Sequence, residues 1–83
     1  NEGYSFEIQY DEKNAEFLIV LVEEPLGESR KEAEDFLRNK LSLPDADLCK
    51  LNVFVAVPLD VNEVYGQYTN LGLSFCPDSV PLP

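Results

Sequence analysis

Cys49 and Cys76 are the residues of this chain best placed by type to do chemistry: a pair of thiols can form a disulfide, hold a metal or run a redox couple. They lie 27 positions apart, outside any CxxC motif, in a sequence that contains no His. That spacing matches neither a zinc site nor a thioredoxin-like couple. It favours a structural disulfide, with two buried free thiols as the alternative. In the chain-entropy picture a loop of this size stabilises by about 3.5 kcal/mol. Such a bond persists outside a reducing cytosol.

The carboxylates gather at Glu23-Glu24-Glu28, Asp45-Ala46-Asp47 and Asp60-Asn62-Glu63. A calcium loop needs alternating oxygen ligands, a central Gly and a bidentate Glu at its twelfth position, and none of the three provides them. They read instead as wet turns and helix starts, where acids oppose the macrodipole. Without His, serine-histidine and cysteine-histidine catalysis are excluded. The Gly-containing stretches Leu26-Gly27-Glu28 and Leu71-Gly72-Leu73 lack the context of a phosphate loop. The expectation is no catalytic residue, no cofactor and no metal. Tyr65 and Tyr68, one helical turn apart, and Tyr4 and Tyr10, on one phase of a strand, are aromatics of the kind that pack at a core edge or anchor a partner. Tyr65 and Tyr68 are the candidate partner contacts.

These residues must be positioned by one small domain, since 83 residues leave room for a single core. Six basic residues against sixteen acidic give a net charge of −10, which repels phosphate backbones and anionic lipid. Nucleic acid is therefore not an expected partner. The longest apolar run, residues 17–22, is far short of the roughly 20 residues of a membrane helix, so no insertion by this chain is expected. The chain opens on Asn1 and holds no Met, which sets the expectation of a processed or excised piece and leaves room for a signal peptide or anchor upstream.

Tyr4, Phe6, Ile8 and Tyr10 alternate with polar residues and predict a strand over residues 4–10. Polar residues 11–14 make a turn, and residues 15–22 a second strand, apolar in both phases, which suits a strand covered on both faces that is either central or has its second face covered by a partner. Ser29 with Glu32 forms a capping-box pattern ahead of a helix over about residues 30–40. Ala33, Phe36, Leu37 and Leu41 are its apolar stripe, with Lys31–Asp35 and Glu34–Arg38 as ion pairs on its wet side. Pro44 stops it, and one further helical turn fits residues 44–48. Leu51, Val53, Val55 and Val57 lead a third strand up to Pro58. Asp60 with Glu63 suggests a short second helix carrying Val61, Val64, Tyr65 and Tyr68. Leu71, Leu73 and Phe75 suggest a last strand, and Pro77, Pro81 and Pro83 an extended tail over residues 77–83. The expected architecture is α+β, order β-β-α-β-(α)-β, with one main helix on a face of an antiparallel sheet of about four strands.

Asp47-Leu48-Cys49-Lys50-Leu51-Asn52-Val53, after a helix rich in Lys and Glu, together with Leu71-Gly72-Leu73-Ser74-Phe75-Cys76-Pro77, resembles uncharacterised C-terminal extracytoplasmic domains of membrane-anchored proteins from small-genome, candidate-phylum bacteria. The resemblance covers roughly residues 4–77. It implies an exported, tethered domain of ββαβ type, carries over no catalytic or binding residue, and matches Cys49 and Cys76 as a structural pair. The expectation is a non-enzymatic extracytoplasmic module with an unidentified protein partner. The alternative is a cytosolic acidic inhibitor, a toxin antidote or nucleic-acid mimic blocking a basic cleft, which would keep its cysteines reduced.

Overall fold

A computed structural model describes residues 5–83, so Tyr4 and its place in the first strand lie outside the described residues. Strand β1, Phe6–Asp11, turns back into β2, Glu16–Leu21. Asp11 closes the turn: its carboxylate accepts from the Lys13 backbone N–H at 3.0 Å and from the Asn14 side-chain amide at 2.8 Å. Such local bonds are what make Asp and Asn turn formers. Helix α1 covers Leu26–Leu41, a single helical turn α2 covers Asp45–Leu48, and β3 is Asn52–Ala56. The sheet order is β1-β2-β3, with β2 central as expected.

The fold class is α+β, with three strands rather than about four, in a mixed rather than antiparallel sheet. β1 and β2 run antiparallel, but β2 and β3 run parallel. The reason is length: sixteen residues of α1 rise roughly 24 Å, enough to carry the chain back past the whole of β2. β3 therefore starts from the end at which β2 started, as a helical crossover demands. The core is one cluster built on Ile19, Leu21, Leu26, Ala33, Leu37, Leu48 and Val55, joined by Val57, Leu71 and Leu73.

Three local expectations fail for identifiable reasons. α1 begins four residues before Arg30, directly after Pro25, and Ser29 does not cap it; the Ser29 hydroxyl donates to the Glu23 carbonyl at 2.6 Å, and Glu32 accepts from the Ser5 hydroxyl instead. The buried stripe runs through Leu26, Ser29, Arg30, Ala33, Glu34 and Leu37, and Phe36 stays half exposed at its margin. The second helix shrinks to a 3-10 turn, Tyr65–Gln67. Asn62, not Asp60, organises it by accepting from the Val64 and Tyr65 N–H groups. A Cβ on Gly66 would lie 2.9 Å from the Leu59 Cα, so this turn is pressed against its neighbour backbone.

The predicted last strand also does not form. The Asn70 side chain takes its place at the edge of β3, accepting from the Val55 N–H at 2.9 Å and donating to the Val53 carbonyl at 3.3 Å. Only one backbone bond follows, from the Leu71 N–H to the Val55 carbonyl, before Gly72 turns the chain away at φ 78°. The proline-bearing residues 77–83 then lie along the core, with Val80 and Leu82 packed on it.

Candidate interaction surface

Cys49 and Cys76 are joined in a disulfide, with their Cα atoms 5.5 Å apart. Cys49 caps the end of α2, and Cys76 sits in the strandless C-terminal segment. Pro44 and Pro58 bracket α2 and β3, so Cys49 lies at a fixed point of the framework. The bond pins the C-terminal segment to the α2 end of the domain.

Two further fasteners act on the same segment, and both come from α1. Arg30 and Glu34, one turn apart and nearly fully buried, lie 4.0 Å from each other. The Arg30 guanidinium donates to the Gly72 carbonyl at 3.3 Å and to the Val80 carbonyl at 2.8 Å. The Glu34 carboxylate accepts from the Ser74 N–H at 2.5 Å and from its hydroxyl at 2.8 Å. Burial pulls the Arg30 guanidinium below its ordinary value, and the Glu34 charge opposes that shift. The expectation that Glu34 pairs with Arg38 on the wet side is therefore overturned. It rested on residue type, whereas Leu26, Arg30, Ala33, Glu34 and Leu37 share one helical phase.

Arg38 is instead the outer fastener. It donates to Asp45 at 2.6 Å and 3.3 Å and to Asp35 at 2.8 Å, and its guanidinium carbon lies 4.6 Å from the centre of the Phe75 ring. The hydrogen bond to Asp45 raises the Arg38 guanidinium and holds the Asp45 carboxyl below the ordinary aspartate range. Lys31–Asp35, the other expected pair, gives way to this arrangement.

With the C-terminal segment held on the helix side, no helix or strand among the described residues packs on the opposite face of the sheet. The register aligns Gln9, Leu18 and Phe54 in one row and Glu7, Val20 and Ala56 in the next. At the hairpin end Asp11, Glu16 and Asn52 complete the face. Its strands therefore carry three carboxylates and no Lys or Arg. A groove of about 380 Å³ lies toward the hairpin end, lined by Gln9, Asp11, Glu16, Leu18, Phe54 and Thr69 together with Tyr10 and Phe17 of the other phase. Tyr65 and Tyr68 stack with ring centroids 6.1 Å apart. Tyr65 packs on the core, while Tyr68 stays 45% exposed in a shallow hollow with Val64 and Gln67. Of the two candidate contacts, Tyr68 is thus the more accessible.

No group of three or more His, Cys, Asp or Glu side chains among the described residues is arranged to hold a metal ion. No helix among them is long and apolar enough to cross a membrane. Arg30, Glu34 and Asn70 are the residues that sequence reasoning missed; the helical phase of Leu26 and Leu37 was the available signal for the first two. No family model, curated protein or solved structure matches this chain.

Proposed function

We propose that this chain is a non-enzymatic, extracytoplasmic interaction or structural domain, the exported end of a larger membrane-anchored protein. The observation that carries the reading is the Cys49–Cys76 disulfide. A crosslink that fastens the C-terminal segment is stable where thiols are kept oxidised and is removed by a reducing cytosol. The sheet face away from the helix, apolar at Leu18, Val20, Phe54 and Ala56 and acidic at Glu7, Asp11 and Glu16, is the surface such a domain would offer.

The test is made in the producing cells. Acid quenching and alkylation before lysis trap the thiol state, and protease added to intact spheroplasts reports which side of the membrane the domain occupies. Oxidised cysteines and cleavage from outside are the expected outcome. Free thiols on a protease-protected chain would overturn the compartment and favour the cytosolic acidic inhibitor. A photocrosslinker at Leu18 or Tyr68 of the full-length protein is expected to yield a discrete protein adduct. A smear at both positions would count against an interaction role.

A further inference from the structure

β1 has a strand on only one side among the described residues. The Val22 N–H donates to the Ser5 carbonyl at 2.9 Å, which fixes the phase of the antiparallel ladder. Glu7, Gln9 and Asp11 therefore spend their backbone groups on β2, and Ile8 and Tyr10 direct theirs away from the sheet. An outward row of N–H and C=O groups is a template for another strand.

The two faces beside that edge differ in chemistry. On the helix side, Tyr10 is 53% exposed, and Phe36 of α1, 49% exposed, rests against Phe6 with ring centroids 5.9 Å apart. Tyr10 and Phe36 thus give the helix side of β1 an exposed apolar border. On the opposite face, Glu7 and Asp11 stand exposed, and the strands carry no cation there. A strand laid against β1 would put alternate side chains on these two faces. A second copy of this chain would bring its own carboxylates against Glu7 and Asp11, and like charges opposite one another are unfavourable. The complementary occupant alternates apolar residues with Lys or Arg.

We infer that the open edge of β1 binds an extended segment of a partner protein in which apolar residues alternate with basic ones, by strand addition. The backbone of the segment pairs with Ile8 and Tyr10, its apolar side chains cover Tyr10 and Phe36, and its cations meet Glu7 and Asp11. This rests on the reading of the domain as an interaction module.

The probe is a short capped peptide alternating valine and lysine, titrated into the isotope-labelled, oxidised protein and followed by amide exchange. Saturation is expected to slow exchange at Ile8 and Tyr10 and to leave the Glu7 and Gln9 amides, already bonded within the sheet, little changed. The glutamate counterpart is expected not to bind, and affinity for the lysine peptide to fall with added salt. Two further peptides carry N-methyl groups on alternate sets of residues. Only the set facing β1 should lose affinity, by about tenfold for two backbone hydrogen bonds. Equal loss from both sets, unchanged exchange at Ile8 and Tyr10, or equal binding of the glutamate peptide would overturn strand addition. So would protection of both amides in the absence of peptide through self-association. If the peptide fails while discrete adducts still form at Leu18 or Tyr68, the interaction role stands and the edge is not its site.

Discussion

Replacing Glu34 with Ala tests how the C-terminal segment is held. The carboxylate accepts two bonds from Ser74 and lies beside the buried Arg30 guanidinium, and Glu34 is only 2% exposed. Hydrogen bonds to a charged partner contribute about 1.5–3 kcal/mol each. Ser74 is exposed, so water replaces part of that loss once the carboxylate is gone. Arg30 cannot be relieved in the same way, because its side chain is 7% exposed and it keeps only the Gly72 and Val80 carbonyls. Removing one partner of a buried charge pair destabilises by about 3–5 kcal/mol, and the retained carbonyl bonds reduce this. The expected loss is therefore about 2–4 kcal/mol, a large fraction of the roughly 4–12 kcal/mol that a chain of this size commands. Urea unfolding of oxidised Glu34→Ala should show a lower midpoint, and amide exchange at Ser74 and Val80 should accelerate more than at Ile19. A loss below about 0.5 kcal/mol, the range of ordinary surface substitutions, with exchange unchanged at Val80, would refute the fastening role. The double variant Arg30→Met/Glu34→Ala should recover part of the loss, since the stranded charge goes with it.

Replacing both cysteines with Ser removes a crosslink over 27 positions and is expected to lower stability by about 3.5 kcal/mol, read by urea unfolding against the oxidised protein. Asn70→Ala leaves the Val55 N–H, on a fully buried residue, without its partner; the expected loss is about 1–3 kcal/mol in the same assay, and Asn70→Asp, which keeps the acceptor, should lose less. Asp45 should titrate below the ordinary aspartate value of about 3.9 in a carboxyl NMR titration, and return toward it in Arg38→Gln. Because the folded value is depressed, the Arg38–Asp45 contribution to stability is present above the unfolded value and is lost as pH falls through the folded one.

The hairpin, the central place of β2, the α2 turn and the existence of β3, though it stops at Ala56 short of the expected Pro58, were legible because period-two patterning and turn residues act locally. The direction of β3 was missed because the expected helix over about residues 30–40 is roughly five residues shorter than α1, whose length supplies the crossover that a parallel pair needs. What misled was residue type. Arg30 and Glu34 look like solvent residues, yet they sit inside because the C-terminal segment brings backbone groups that a sheet edge would otherwise satisfy. Asn70 is the same lesson on a smaller scale. One side-chain amide supplies the acceptor and donor of a strand residue, so alternation at Leu71, Leu73 and Phe75 produced burial without a strand. The disulfide was legible from the absence of competing ligands. The open face was not, because a strand apolar in both phases reads the same whether its second face is covered or bare.

The acidity of the open edge accounts for why two copies should not pair through it, and that can be worked through at Glu7. Two β1 strands meeting antiparallel about Gln9 would set Glu7 of each copy opposite Asp11 of the other, two like-charge pairs per dimer. Cross-strand charge pairs contribute about 0.2–1 kcal/mol in either direction. Glu7→Lys turns both from repulsive to attractive, so dimerisation should strengthen by about 1–4 kcal/mol, from several-fold to several hundredfold. Glu7 is exposed and contributes nothing to the core, so the fold should tolerate the change. Sedimentation at matched concentrations should show Glu7→Lys self-associating at concentrations where the native chain does not, with the difference shrinking as salt screens the pairs. An unaltered association constant would mean that charge does not guard this edge. The chemistry assigned to its occupant would then lose its ground, since the same carboxylates are held to exclude a second acidic chain and to admit a basic one.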